Sequence, residues 1–379
     1  MFSEELAKIS WDDTTRQIDS MTAKDVERAL SKDHLDVKDF MALISPAAEP
    51  YIETMAQMSQ RITQERFGKT IKMYIPLYLS NECTNYCVYC GFQYKNHIKR
   101  ITLTEEQIKQ ECEAIRKLGP FENVLLLTGE YPAVAGVDYI EKALKICRPY
   151  FNNLSMEVMP LKMRDYKRLV DNAGLNGVTC FQETYHKADY NIYHPHGMKS
   201  IFDWRVNGYD RMGQAGVYKI GMGVLIGLDK HWKTDITMLA YHLRYLQKKY
   251  WRSCFSVNFP RMRPAAGGYQ PNVVMTQKEL AQLTFAFRIF DHDVDISYST
   301  REEPRFRENM MKLGVTSMSA GSKTDPGGYS KDGATEQFHV SDERSPKEVT
   351  DDISSMGYEP VWKDWDASFD LFGDIAKKA

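Results

Sequence analysis

The chain has 379 residues, 43% hydrophobic and 26% charged, the balance of an ordinary globular protein with room for one large domain plus extensions. A formal charge of −2 excludes a basic field for nucleic acid or an anionic membrane. No stretch approaches the about 20 apolar residues of a membrane span, and Met1-Phe-Ser-Glu-Glu-Leu lacks a signal peptide's basic start and apolar core, so the cytoplasm is the expected location.

Residues 1–70 read as a helical extension. Thr22-Ala-Lys-Asp-Val-Glu-Arg-Ala-Leu and Asp36-Val-Lys-Asp-Phe-Met-Ala-Leu-Ile carry helical apolar spacing, and a further helix beginning at Tyr51 closes near Gly68. Strands alternate with helices over 71–322. The strands are expected at Met73–Ser80, Val124–Thr128, Leu154–Val158, Gly177–Gln182, Lys219–Leu228, Phe255–Phe259, Val294–Ser299 and Val315–Ala320. Helices are expected between them. Thr104-Glu-Glu-Gln107 and Thr276-Gln-Lys-Glu279 resemble capping boxes, and 138–150, 161–174, 201–216, 234–250 and 305–314 fill the other gaps. Eight β/α units over about 250 residues predict an α/β fold of the closed (β/α)8 kind, with an open doubly wound sheet as the alternative. Residues 323–379 form a less regular C-terminal extension, with a turn-rich loop at 323–329, a helix opening at Ser345-Pro346, and Trp362-Lys-Asp-Trp365 expected to cover one end of the barrel.

Seven cysteines in a chain this long make no disulfide framework. Cys112, Cys147, Cys180 and Cys254 are scattered and are expected to be small buried apolar residues. Cys83, Cys87 and Cys90 lie together just after the first strand, as C-x3-C-x2-C with Tyr89 before the third thiol. A closed zinc site needs a fourth ligand, and His97 alone lies near in sequence. Three thiolates instead suit a [4Fe–4S] cluster with one iron left open to a small molecule. In a parallel barrel the working residues stand at the C-terminal ends of the strands. Those ends here include Gly129-Glu130, Gln182-Glu183-Thr-Tyr-His186, Arg261-Met-Arg263, Arg301-Glu302 and Ser319.

The Cys triplet after a first strand and Gly129-Glu130 after a second resemble the radical S-adenosylmethionine (SAM) enzymes. That resemblance implies a [4Fe–4S] cluster on Cys83, Cys87 and Cys90 and SAM as cosubstrate. It gives Tyr89 an adenine contact and Gly129-Glu130 the SAM amino group. Arg205 resembles the arginine that pairs with the SAM carboxylate in the biotin-synthase-like branch, and Glu183 an acidic residue near the SAM ribose or the substrate. Tyr78-Leu-Ser-Asn81, Gln182–His186, Phe259–Pro264, Ser299–Glu302, Ser322–Tyr329 and Val361–Trp365 together are similar to the radical SAM tyrosine lyases of thiamine-thiazole biosynthesis. A tryptophan lyase relative is similar in barrel and chemistry. Membership would imply cleavage of the L-tyrosine Cα–Cβ bond to 2-iminoacetate and p-cresol, with methionine and 5′-deoxyadenosine from SAM. It would also imply an electron donor of flavodoxin or ferredoxin type and thiazole synthase as a partner. The tyrosine carboxylate needs a cation in a dry site. Arg301 with Ser319 in support is the expected receiver, with Arg261 or Arg263 as alternatives.

Overall fold

The computed structural model describes residues 1–330 and 333–363. Eight parallel strands, β1 (Thr70–Ser80), β2 (Asn123–Thr128), β3 (Asn153–Glu157), β4 (Leu175–Glu183), β5 (Lys219–Val224), β6 (Cys254–Asn258), β7 (Asp295–Tyr298) and β8 (Ser317–Ser319), pair in sequence order. β1 pairs with both β2 and β8, so the sheet closes into a barrel. This is the (β/α)8 architecture, and the open-sheet alternative is excluded. β1, β2, β3, β4 and β6 begin one to three residues earlier than expected, and β4 ends one residue later; β3 and β6 end one residue earlier, and β5, β7 and β8 are shorter by two to four residues where the chain turns into loops that carry polar side chains.

The period of two along each strand separates two environments. Met73, Ile75, Leu77, Val124, Leu126, Leu154, Met156, Val178, Ile220, Val257 and Ile296 are buried in the main apolar core. Their alternate neighbours line an internal cavity of about 280 Å³: Tyr74, Ser155, Gly177, Gly221, Ser256 and Ser297 among them. A barrel of this size is usually filled by branched aliphatic side chains. Small and polar residues at the inward positions leave room for ligands.

Helices cover the outside. Both expected capping boxes form, on Glu105–Leu118 and Gln277–Phe290. The helix expected over 201–216 is instead two, Phe202–Val206 and Gly208–Gln214, broken at Asn207. Asn207 accepts the Ser3 backbone N–H through its side-chain oxygen and gives its amide to the Ser3 hydroxyl, docking the N-terminus at the break. Cys254 is exposed, against expectation, because it begins β6 at the rim of the barrel; Cys112, Cys147 and Cys180 are buried as expected. Among the described residues no helix is long and apolar enough to cross a membrane.

The C-terminal segment reaches both ends of the barrel. A ninth strand, β9 (Glu359–Val361), pairs with the start of β1. Trp362 packs edge-on against Phe121, and its carbonyl accepts the Asn123 side-chain amide at 2.9 Å. Trp365 lies outside the described residues. At the opposite end, Ser341 and Asp342 donate their backbone N–H groups to the Thr300 carbonyl. Asp342 and Arg307 form an ion pair, both almost fully buried, and Arg307 also donates to the Ser319 carbonyl. Removing one partner of such a pair strands the other charge. Asp342→Ala is therefore expected to lower unfolding stability by about 3–5 kcal/mol in chemical denaturation, and a loss below about 1 kcal/mol would show that Arg307 finds another partner.

Candidate active site

The loop after β1 is shaped by backbone capture. The side chain of Asn81 bonds the Lys99 carbonyl at 2.8 Å and the Ile101 N–H at 2.7 Å. The guanidinium of Arg100 gathers the carbonyls of Asn81, Phe92 and Gln93 at 2.6–2.7 Å. Five donors in a planar fork suit Arg to such a clamp. Gly129 seats this loop against the end of β2: a Cβ there would lie 2.2 Å from the Glu82 carbonyl oxygen. Only glycine permits that approach.

Cys83, Cys87 and Cys90 line the cavity in this loop. Burial pushes the Cys83 thiol up to about 11, and raises Cys87 and Cys90 as well. The three sulfurs do not all lie within 4.8 Å of one another, and His97 is exposed; among the described residues the one set of three ligand atoms that close is His186, Asp189 and Asp229. A single tetrahedral zinc ion therefore does not fit the thiols. Three thiols on the cavity wall, with no fourth ligand grouped with them among the described residues, suit in donor chemistry a [4Fe–4S] cluster that leaves one iron open. The side-chain amide of Gln337 points at the Cys90 sulfur at 3.8 Å, and its carbonyl accepts the Tyr78 hydroxyl at 2.7 Å.

Next to the thiols lies a buried charge network. Glu130 accepts the Asn85 amide at 2.7 Å and Arg205 at 2.9 Å. Arg205 also bonds the Phe181 carbonyl at 2.7 Å and sits 3.8 Å from Glu183. Lys199 pairs with Glu183 at 2.6 Å. Burial and Arg205 would pull the Lys199 ammonium down, yet the carboxylates of Glu183 and Glu130 hold it above its ordinary value. Glu183 has φ of 71°, the one non-glycine positive value among the described residues. Backbone strain of this kind costs about 1–3 kcal/mol and persists where surrounding bonds impose it. Here the Lys199 ion pair and the Leu225 N–H on the Glu183 carbonyl do so. Tyr89 lines the same space, with its hydroxyl 2.9 Å from Nε2 of His194, an imidazole that burial keeps neutral. His186 turns away, toward Asp229 at 2.7 Å and a stacked Trp11.

Across the cavity, Arg301 follows β7. Its guanidinium lies 3.3 Å from the centre of the Phe338 ring. Among the described residues no carboxylate stands within ion-pair distance of it, and burial pulls it below its ordinary value. The Ser319 hydroxyl accepts the Thr300 N–H at 3.2 Å, just before Arg301. Arg261 is engaged elsewhere: Glu302 takes it through two nitrogens, and the Met275 carbonyl takes a third bond at 2.9 Å. It does not line the cavity; Arg263 and Arg301 do. The structure thus gathers Cys83, Cys87, Cys90, Tyr89, Gly129, Glu130, Glu183, Arg205, Arg301 and Ser319 around one cavity. Sequence reasoning passed over Lys199, Gln337 and Glu157, which also line it.

Residues 77–239 match the radical SAM superfamily, and 258–359 match the biotin and thiamin synthesis associated domain. The 2-iminoacetate synthase of Salmonella typhimurium (strain LT2) is 49% identical, and that of Escherichia coli (strain K12) 47%, each alignment covering 97% of both chains. The chain belongs to the 2-iminoacetate synthase family. A crystal structure of HydG, a maturase of the [FeFe]-hydrogenase, is 29% identical with a TM-score of 0.87, over 93% of this chain and 80% of that one. Membership in this radical SAM family carries the [4Fe–4S] cluster and SAM with it. Replacing Cys87 by Ala is expected to leave the fold intact while abolishing iron–sulfur absorbance and 5′-deoxyadenosine formation. Any 5′-deoxyadenosine from that variant would remove the thiol from the ligand set.

Proposed function

We propose that this 2-iminoacetate synthase performs its tyrosine cleavage with the residues gathered around the cavity in the following roles. Cys83, Cys87 and Cys90 would hold the cluster. Cluster and SAM together would supply a one-electron reductive cleavage that furnishes the hydrogen-atom acceptor of the reaction. Glu130 takes the α-ammonium of SAM, and Arg205 its carboxylate by a two-pronged bond. Before SAM arrives the two residues neutralise each other, so neither charge is stranded in a dry site. SAM brings its own opposite charges and exchanges one balanced set for another. Tyr89 faces the adenine, and Glu183, fixed by Lys199, faces the ribose side.

Arg301 receives the carboxylate of tyrosine, with Ser319 holding the turn that aims it. The supporting observation is the guanidinium itself: it stands half-buried on the cavity wall with no carboxylate in ion-pair distance among the described residues, and an amino-acid substrate that closes the cavity over it supplies the anion. With the carboxylate anchored there, the amino N–H faces the SAM side of the cavity, where hydrogen abstraction leads to rupture of the Cα–Cβ bond. Phe338 and Gln337 cover this end and keep water from the radical. 2-Iminoacetate hydrolyses in water, which favours direct delivery to thiazole synthase. The electron comes from a flavodoxin or ferredoxin type donor, and the setting is the cytoplasm.

An oxygen-free single turnover of reconstituted protein with SAM and a strong reductant tests the reading. Tyrosine should give p-cresol and glyoxylate, the hydrolysis product of 2-iminoacetate. Tryptophan should give neither 3-methylindole nor glyoxylate. 5′-Deoxyadenosine with no tyrosine fragment would send the search to another substrate. Arg301→Ala is expected to weaken tyrosine by about 10–150-fold, the range of a bond to a charged group. Unchanged tyrosine kinetics would move the carboxylate to Arg263.

A further inference from the structure

We propose that Glu157 receives the phenol hydroxyl of the substrate and sets the preference for tyrosine over phenylalanine. The inference rests on the tyrosine lyase reading and deepens it. Glu157 ends β3 and shares the inward face of that strand with Asn153 and Ser155, while Leu154 and Met156 face the helical layer. In a closed barrel of eight strands paired in order, β3 lies opposite β7, the strand that delivers Arg301. The two side chains that would hold the ends of a substrate therefore approach from opposite walls. Tyrosine is a molecule of that form, with the carboxylate at one end and the phenol at the other.

The other cavity-lining carboxylates are already engaged. Glu130 serves Asn85 and Arg205, Glu183 serves Lys199 and Arg205, and Asp295 serves Lys72 and Lys219. Glu157 alone among them has no ion pair and no hydrogen bond among the described residues. Burial, and then the charge of Glu183, push its carboxyl up to about 7, against the pull of Arg301, Lys199 and Arg205. Either protonation state keeps an oxygen that can accept a phenol O–H. Of the neighbouring hydroxyls, Tyr78 donates to Gln337, and Tyr74, which accepts from Ser297 at 3.3 Å, makes no hydrogen bond to Glu157 among the described residues.

The substrate ammonium is the other group a carboxylate could take. An ion pair there would hold the amine as ammonium, a poor hydrogen-atom donor, when the reaction takes its hydrogen from that nitrogen. A phenol enclosed in a dry cavity needs a partner, and a site built around that hydroxyl discriminates strongly against the analogue that lacks it.

Equilibrium dialysis of tyrosine, phenylalanine and O-methyltyrosine against cluster-loaded, SAM-bound protein without reductant tests the proposal. The wild type should favour tyrosine over both analogues by about tenfold or more, the lower range of a bond to a charged group. Glu157→Leu should lose that preference by weakening tyrosine alone. Glu157→Gln, which keeps an acceptor oxygen, should hold tyrosine within a few-fold of wild type. Equal weakening of tyrosine and phenylalanine in Glu157→Leu would assign Glu157 to the ammonium and overturn the proposal. Unchanged tyrosine binding would overturn it too. Iron–sulfur absorbance and SAM binding report whether the variant is intact, and if it is not, equal wild-type affinity for tyrosine and O-methyltyrosine overturns the proposal by itself. A wild type that binds SAM but none of the three amino acids would instead refute the tyrosine reading beneath it.

Discussion

Everything in this site depends on one constraint: an ion inside the barrel must be matched by an opposite charge. The inward positions of the strands carry Lys72, Lys219 and Asp295 at one end and Glu157, Glu183 and Arg301 at or just beyond the other, where a barrel of this class normally packs aliphatic side chains. Desolvating such groups costs several kcal/mol each unless they are paired and hydrogen-bonded. At the closed end the debt is settled within the protein, with both lysines on Asp295, whose carboxyl they hold well below its usual range against the cost of burial. At the end that carries the thiols it is settled only in part. Glu130, Glu183, Arg205 and Lys199 balance one another, whereas among the described residues Arg301 has no ion pair and Glu157 neither ion pair nor hydrogen bond. On the proposed reading tyrosine brings an anion to the first and a hydrogen-bond donor to the second.

The second requirement is that this arrangement stay dry and still beside a reactive radical. The Cys loop is fixed by Asn81 and Arg100 from below and by the close approach at Gly129 from the side. The C-terminal segment closes it from above, with Gln337 against Cys90 and Phe338 against Arg301. That segment is moored by the buried Arg307–Asp342 pair, and Arg307 also holds the Ser319 carbonyl on β8. One ion pair thus links the segment over the cavity to the strand whose Ser319 hydroxyl holds the turn before Arg301. A lid that carries two cavity-lining side chains and is anchored to the barrel can exclude water without a separate domain.

Much of this was legible in the chain before any coordinates. The strand–helix alternation, the thiol spacing and the polar residues ending β2, β4, β7 and β8 all have local signatures. Other features have none, or one that is easily missed. Lys199 enters from a single 3-10 turn, Met198–Ser200, and its ion pair with the strained Glu183 has no local signature. Gln337 and Phe338 come from a stretch with no periodicity, more than 240 residues after the thiols they cover. The break at Asn207 answers to Ser3, a contact that no local pattern encodes. Glu157 had a signal that went unread, for Asn-Leu-Ser-Met-Glu alternates polar and apolar and puts the glutamate on the inward face. The strand was recognised by its apolar half, and its polar half carried the chemistry. The engagement of Arg261 and Arg263 by Glu302 across the barrel rim was likewise closed to sequence.

The central claim is that the cavity holds tyrosine with its carboxylate on Arg301, its amino N–H toward the SAM side and its phenol on Glu157. Deuterium transfer tests that orientation most directly. Tyrosine cleaved in D2O exchanges its N–H and O–H hydrogens but not those on carbon. The account predicts one deuterium in 5′-deoxyadenosine from that reaction, one also from saturating phenylalanine in D2O, which has no phenol hydrogen to give, and none when tyrosine deuterated at Cα and Cβ is cleaved in H2O. Deuterium arriving from a carbon position would mean that a different part of the substrate faces the radical, and the assignment of the charged residues around the cavity would fall with it.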